Sequence, residues 1–287
     1  KNRTDLVDRA INLNRQLLEV TKERLAAGDI PELEMNLVKV ELARSEGYKI
    51  DAAKALHQSR AKLWTFMGLP SGEYPEIVGI LDIEVTVAKA LADLKQLAIG
   101  NRPDLKALEA EKNRGEADLV LAKAEGVPNL TAGLTLTRDT TSMEIGGTEG
   151  KDTAYTIGLK LSIPIPLFDN NQAGVQEAHA KRSSSEIRLL AASRDVEREV
   201  ETAYASLLNA EKVLALYRTN IIPQFEENLK LTQEAYRLGE IGILSVIQEQ
   251  KKFFEVSDDY LTALHGRMTA LVKLEAAVAT DLIGGAQ

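Results

Sequence analysis

Between Leu189 and Ile221 the chain returns to one face in alternating steps of four and three residues. The positions are Leu189, Ser193, Val196, Val200, Ala203, Leu207, Ala210, Leu214, Tyr217 and Ile221, with Ser193 the one polar member. A repeat of 3.5 residues holds an apolar stripe on one side of a helix only if the helix supercoils against a neighbour. The run therefore demands a partner helix. The pattern lies within residues 172–238, which would extend on the order of 100 Å at ~1.5 Å per residue if the helix were continuous. Pro223 marks the expected kink, because it lacks an N–H and its ring crowds the carbonyl four residues back. Beyond Gly239 the positions Ile247, Phe254, Leu261, Leu264, Met268, Leu271, Val278 and Leu282 continue a similar seam, so the two runs are expected to pack as an antiparallel helical hairpin.

The turn between those runs has a twin. "RLAAGDIPEL" at Arg24 to Leu33 is echoed by "AYRLGEIGIL" at Ala235 to Leu244, and at that spacing Leu18/Leu229, Thr21/Thr232, Glu23/Glu234, Gly28/Gly239, Ile30/Ile241 and Leu33/Leu244 are identical. The first copy reads as a helix from about Asp5 to Ala27, ended by Gly28 in the left-handed conformation. Asp29 is placed to cap the next helix, which Pro31 and Glu32 open and Gly68 and Pro70 stop.

The middle of the chain changes period. Ser71 to Val85 reads as a loop with a possible short strand, and Val85 to Ile99 as a modest helix. "NRPDL" then opens another helix, with Pro103 and Asp104 in its first turn. In "NLTAGLTLTRD" and "AYTIGLKLSI" apolar residues alternate with polar ones, the signature of strands of ~10 residues with one apolar face. The polar, glycine-rich join "TTSMEIGGTEGKDT" is expected to be a long exposed loop. The expected fold is mainly α: long antiparallel coiled-coil hairpins and one β-hairpin. Its segments are 1–70 and 169–287 for the helical hairpins, 71–128 for short helices, and 129–168 for the strands.

Two strands cannot close a sheet, and an isolated hairpin is marginal in water. Two settings fit: a small sheet capping a helical bundle, or a barrel in the outer membrane to which several chains contribute. Only 5% of residues are aromatic, as in proteins of long helices. The formal net charge of -8 has no long basic block, which argues against nucleic acid as a partner. No cysteine occurs, so disulfides and thiol chemistry are excluded. His57, His179 and His265 lack metal-ligand spacing, and no catalytic constellation or cofactor motif is present. The opening "KNRTDLVDRAINLN" reads as the interior of a helix, which leads to the expectation of a chain whose front is missing.

Together these motifs resemble the TolC family of outer-membrane efflux ducts, most closely its heavy-metal branch, the outer-membrane component of CzcCBA-type cation pumps. "NRPDL" is similar to the family's helix-opening signature, "SIPIPLFDNNQAG" at Ser162 to Gly174 resembles its strand-to-helix junction, and the twin turns look like its two periplasmic tips. The resemblance implies a homotrimer in the outer membrane that extends into the periplasm. It also implies a periplasmic adaptor and an inner-membrane RND-type pump as partners, and contact with outer-membrane lipid. The alternative is a periplasmic coiled-coil adaptor, which would carry one helical hairpin between barrel-like strands. The family pattern has two strand pairs per protomer, and this chain has one.

The resemblance also implies where function sits. Arg24, Leu25, Gly28, Asp29, Leu238, Gly239 and Glu240 would form the adaptor-contact tips, with Leu25, Leu238 and Ile243 exposed as apolar contacts. Glu32, Glu34, Ser245, Gln248 and Glu249 are candidates for a pore constriction, where acidic rings would favour cations. Ser245 and Gln248 stand where well-known family members carry a pair of aspartates, and Glu34 occupies the corresponding place in the first copy. Helix capping and the helix dipole account for Asp29 and Glu32 equally well.

Overall fold

The computed structural model describes residues 1–70, 77, 79, 89–145 and 148–282. The expected loop and short strand over 71–85 lie mostly outside the described residues. Among these residues ten elements follow in order: α1 (Asn2–Ala27), α2 (Glu32–Phe66), α3 (Leu91–Asn101), α4 (Pro103–Glu125), β1 (Thr131–Ile145), β2 (Thr148–Ser162), α5 (Gln172–Leu216), a π turn (Tyr217–Ile221), α6 (Ile222–Arg237) and α7 (Ile243–Val278). They make two compact units, Lys1–Ala98 with Arg198–Gln287, and Ile99–Glu197.

The first unit is built of paired helices. Asp8 meets Lys49 at 2.8 Å, and Asn14 donates to Ser45 Oγ at 2.7 Å, so α1 and α2 run antiparallel. On the other side Glu211 faces Arg267, Tyr217 faces Tyr260, and Tyr236 packs with Ile243. That constant register makes α6 and α7 the predicted hairpin. The 4-3 seam is fully used: Val196, Val200, Leu207 and Leu214 are buried, and the other six positions are partly covered. On α7 the seam holds through Val278, but Leu282 lies past the helix end, its N–H bonded to the Glu275 carboxylate at 2.9 Å.

The expected break near Pro223 is a π turn. Ile222 N–H reaches back five residues to the Tyr217 carbonyl, and Pro223, the second residue of α6, needs no partner for a missing N–H. The extra residue in the turn relieves the clash a proline ring imposes on a regular helix. The expected helix from Val85 starts later, at Leu91, and runs to Asn101.

In the second unit α4 and α5 lie antiparallel, with Glu111 against Arg188 at 3.0 Å and Glu116 against Arg182. Gly115 permits the close approach, since a Cβ there would stand 3.2 Å from the Arg182 Cα. Leu119, Ala122 and Ala178 form the small core between the helices. At the start of α4, Arg102 grips Asp104 from Nε, to Oδ1 at 3.0 Å, and from Nη2, to Oδ2 at 2.8 Å, while Asp104 Oδ1 accepts from Leu105 N–H. The Arg102 guanidinium thereby holds the Asp104 carboxyl below the usual carboxylate range. This is the physical content of "RPDL".

β1 and β2 pair antiparallel from Thr131↔Ser162 to Ile145↔Thr148. The join expected to be a long loop is therefore mostly strand: threonine favours strands as readily as loops, and Thr140 to Glu144 continue the ladder opposite Glu149 to Thr153. The junction after β2 is clipped to α4. Asn171, at φ 59°, donates from Nδ2 to the Ala122 carbonyl at 2.8 Å, satisfying an orphan acceptor in the last turn of α4. A Cβ on Gly174 would collide with the Asn171 side chain, and one on Gly126 with the Asn170 carbonyl. "DNNQAG" is thus a fitted part.

Candidate functional site at the helical tips

The two turns spaced 211 residues apart in the sequence have the same geometry. Gly28 and Gly239 both sit at φ 80°. Gly28 N–H bonds the Leu25 carbonyl and Asp29 N–H the Arg24 carbonyl, at 3.0 and 2.9 Å; Gly239 bonds Tyr236 and Glu240 bonds Ala235 at the same two distances. This double closure consumes the last free carbonyls of each helix and requires a left-handed residue, so glycine is set by the backbone at both places. Pro31 and Gly242 then occupy matching extended positions before α2 and α7. Asp29 does not cap α2 as expected: its backbone is still closing α1, and Ile30 and Pro31 intervene.

Side chains join the two tips. The Arg24 guanidinium lies 4.7 Å from the centroid of the Tyr236 ring, and Nη1 donates to the Tyr236 carbonyl at 2.7 Å. Tyr236 is 1% exposed and packs with Leu17, Val38, Ile243, Val246 and Ile247. Its hydroxyl donates to Glu34 Oε2 at 3.2 Å and lies 3.5 Å from Thr21 Oγ1. Burial, with the Glu34 carboxylate alongside, pushes the Tyr236 hydroxyl above the ordinary tyrosine range. The tips differ at one point: a Cβ on Gly28 would meet nothing within 4 Å, whereas one on Gly239 would come to 3.3 Å from Arg24 Nη2.

Of the adaptor-contact candidates, Gly28, Asp29, Leu238, Gly239 and Glu240 are exposed, and Arg24 and Leu25 are half-buried. Ile243 is not the exposed contact expected. As the first residue of α7 it turns inward and joins the Tyr236 cluster, 2% exposed. The apolar groups on the surface of the turns are Leu238, Leu33 and Leu244. Leu33 and Leu244 were legible, being identical across the repeat at the second position of each outgoing helix. Tyr236 was missed because its matching position in the first copy is Leu25.

Among the constriction candidates Glu32, Ser245 and Gln248 are exposed. Glu34 is engaged by Tyr236, and the Glu249 side chain, 16% exposed, lies 3.7 Å from Lys252. Arg24, Glu34 and Tyr236 are thus brought together; Glu249 stands apart from that group in its contacts. His57, His179 and His265 lie exposed on α2, α5 and α7, and among the described residues no three histidine or carboxylate side chains gather to hold a metal ion. No described helix is long and apolar enough to cross a membrane.

The hairpin provides a different surface. Leu134, Leu136, Ile157, Leu159 and Leu161 project from one face and are between 66% and 82% exposed. Among the described residues, nothing covers them.

Comparison with known proteins fits these parts. The cobalt-zinc-cadmium resistance protein CzcC of Cupriavidus metallidurans is 25% identical over 246 residues, covering 86% of this chain and 56% of the relative. Nodulation protein T of Rhizobium leguminosarum bv. trifolii is 26% identical, covering 83% of this chain and 50% of its own length. The chain thus spans about half the length of these relatives. The crystal structure of CusC superposes with a TM-score of 0.74 at 15% identity, covering 97% of this chain and 64% of that one. Residues 94–280 match the outer membrane efflux protein family, which takes in α4, the strands, the seam and the second tip. The chain belongs to the outer membrane efflux protein family.

Proposed function

We propose that this chain is the protomer of a trimeric outer-membrane channel in a tripartite efflux system, carrying heavy-metal cations across the periplasm and outer membrane. The observation that carries the reading is one chain holding both a two-stranded ribbon whose apolar face has no partner among the described residues and twin helical tips of matching geometry. The ribbon supplies part of a shared barrel in lipid. The tips stand at the periplasmic mouth, where Leu33, Leu238 and Leu244 offer apolar contacts to an adaptor fed by an inner-membrane RND-type pump. Three leucines gathered at the helix ends suit a partner that covers them. The metal cargo is read from the name of CzcC. No catalytic step belongs to this role; a duct holds its cargo weakly enough to release it.

The test is made in cells whose own channel is deleted, scoring zinc, cobalt and cadmium tolerance with the complete gene product restored. Wild type should restore tolerance. Gly28→Pro and Gly239→Pro should leave the trimer assembled while abolishing adaptor pull-down and tolerance. Normal docking by both variants would remove the tips from the adaptor interface.

A further inference from the structure

The exposed face of the hairpin is not uniform along its length. On β2 the outward positions Tyr155, Ile157, Leu159 and Leu161 continue past the end of the ladder as Ile163, Ile165 and Leu167, all exposed. Pro164 and Pro166 alternate with them and hold the preceding residues extended, so the period of two survives where pairing with β1 has stopped. From Tyr155 to Ile165 is about 33 Å along the chain at ~3.3 Å per residue. A strand tilt of about 40° reduces that to about 25 Å of depth, the height of the apolar band on outer-membrane barrels.

Above Tyr155 the same face turns polar at once. Its next outward positions are Arg138, Thr140 and Ser142 on β1 and Lys151 and Thr153 on β2: two cations and three hydroxyls. The acids of this stretch, Asp139 and Asp152, fall on the opposite face of the ribbon, and the first acids at outward register positions are Glu144 and Glu149, one step beyond Ser142 and Lys151. Arg138 stands opposite Tyr155 with its guanidinium 5.7 Å from the ring centroid, and among the described residues neither Arg138 nor Lys151 has a carboxylate partner. An aromatic ring at the edge of an apolar band, followed by unpaired cations, is matched to a lipid boundary with anionic headgroups.

We propose that Arg138 and Lys151 form a phosphate-binding collar for outer-leaflet lipid headgroups, set directly above a lipid-facing band that runs from Tyr155 to Ile165. This rests on the outer-membrane reading and goes beyond it by fixing the depth of the hairpin and the lipid chemistry at its rim. Arg138 supplies a planar fork suited to phosphate oxygens, oriented by the Tyr155 face. Lys151 adds a second charge farther out. The rest of the ribbon, to Ile145 and Thr148, stands outside the bilayer.

These 287 residues hold no cysteine, and single thiols are introduced into the complete protein after any cysteine elsewhere in it has been replaced by serine. In vesicles of phosphatidylethanolamine and phosphatidylglycerol, labels at Leu134→Cys, Ile157→Cys and Leu159→Cys should be oxygen-accessible, and labels at Thr153→Cys and Ser142→Cys should be accessible to a water-soluble nickel quencher. Native mass spectrometry with added lipid A should find retention lowered on the order of tenfold or more in Arg138→Gln/Lys151→Gln, since each basic side chain near the surface adds to anionic-lipid binding. Wild type given dephosphorylated lipid A should fall to the same level, and Glu144→Gln should retain lipid A as wild type does. Unchanged lipid A retention in the double variant, with the three apolar labels still in lipid, would overturn the collar and leave the channel reading intact. Apolar labels in water on a well-formed trimer would overturn the membrane reading itself.

Discussion

The second helical hairpin and the β-hairpin carry equally apolar stripes and satisfy them in opposite ways. Along α7 the side chains of Ile247, Leu264, Leu271 and Val278 are at most 4% exposed, covered by helices of the same chain. Along β1 and β2 the side chains of Leu134, Ile157 and Leu159 are at least 75% exposed. A stripe at period 3.5 finds its partner in the next helix of the same unit, and a stripe at period 2 on a lone ribbon cannot, because its only strand neighbour lies beside it and not across from it. On the proposed channel reading, its burial is supplied by lipid. The helices therefore fold on internal information, while the ribbon is finished by its surroundings.

Truncation should separate the two regions most sharply. Leu271→Ala removes a side chain that is 1% exposed, and it should cost about 2–5 kcal/mol in denaturant unfolding followed by helical signal. Leu159→Ala in detergent should shift the same transition by less than about 0.5 kcal/mol. A charge inverts the sensitivity. Leu159→Arg, near the middle of the proposed Tyr155–Ile165 band, should cost about 2–4 kcal/mol in vesicles and little in the detergent unfolding of the helices.

The tips refine the contrast between internal and external partners. Gly28→Ala should cost about 1–2 kcal/mol for left-handed backbone alone. Gly239→Ala should cost more, because its Cβ also presses on Arg24. The smallest effect is expected at Tyr236, whose raised folded-state pKa makes the protonated hydroxyl part of the native structure. Its contribution is complete below the unfolded value of 10.0 and is lost as pH rises above it. Tyr236→Phe should therefore flatten the fall in thermal stability as pH rises above 10.0, since phenylalanine does not titrate.

The parts legible in sequence are those that local periodicity and backbone sterics dictate. The 4-3 seam announced a partnered helix, Pro223 announced a break in it though not its π form, and the Gly-acid-Ile repeat announced two closures of one geometry. The hairpin's length was not legible, because Thr140, Thr141 and Ser142 suit loop and strand alike until a partner strand decides. Ile243 misled as an exposed group because the first turn of α7 faces the Tyr236 cluster, which is assembled from residues about 200 positions apart. The Asn171 clip has the same character: its acceptor on Ala122 lies 49 residues back, out of reach of any local pattern.

The most direct test of the account is single-channel conductance of the complete protein in a planar bilayer, comparing wild type with Glu34→Gln and Glu249→Gln. The account predicts steady cation-selective steps whose selectivity weakens in the variants. A well-formed trimer that stays silent, with and without its adaptor, would contradict it.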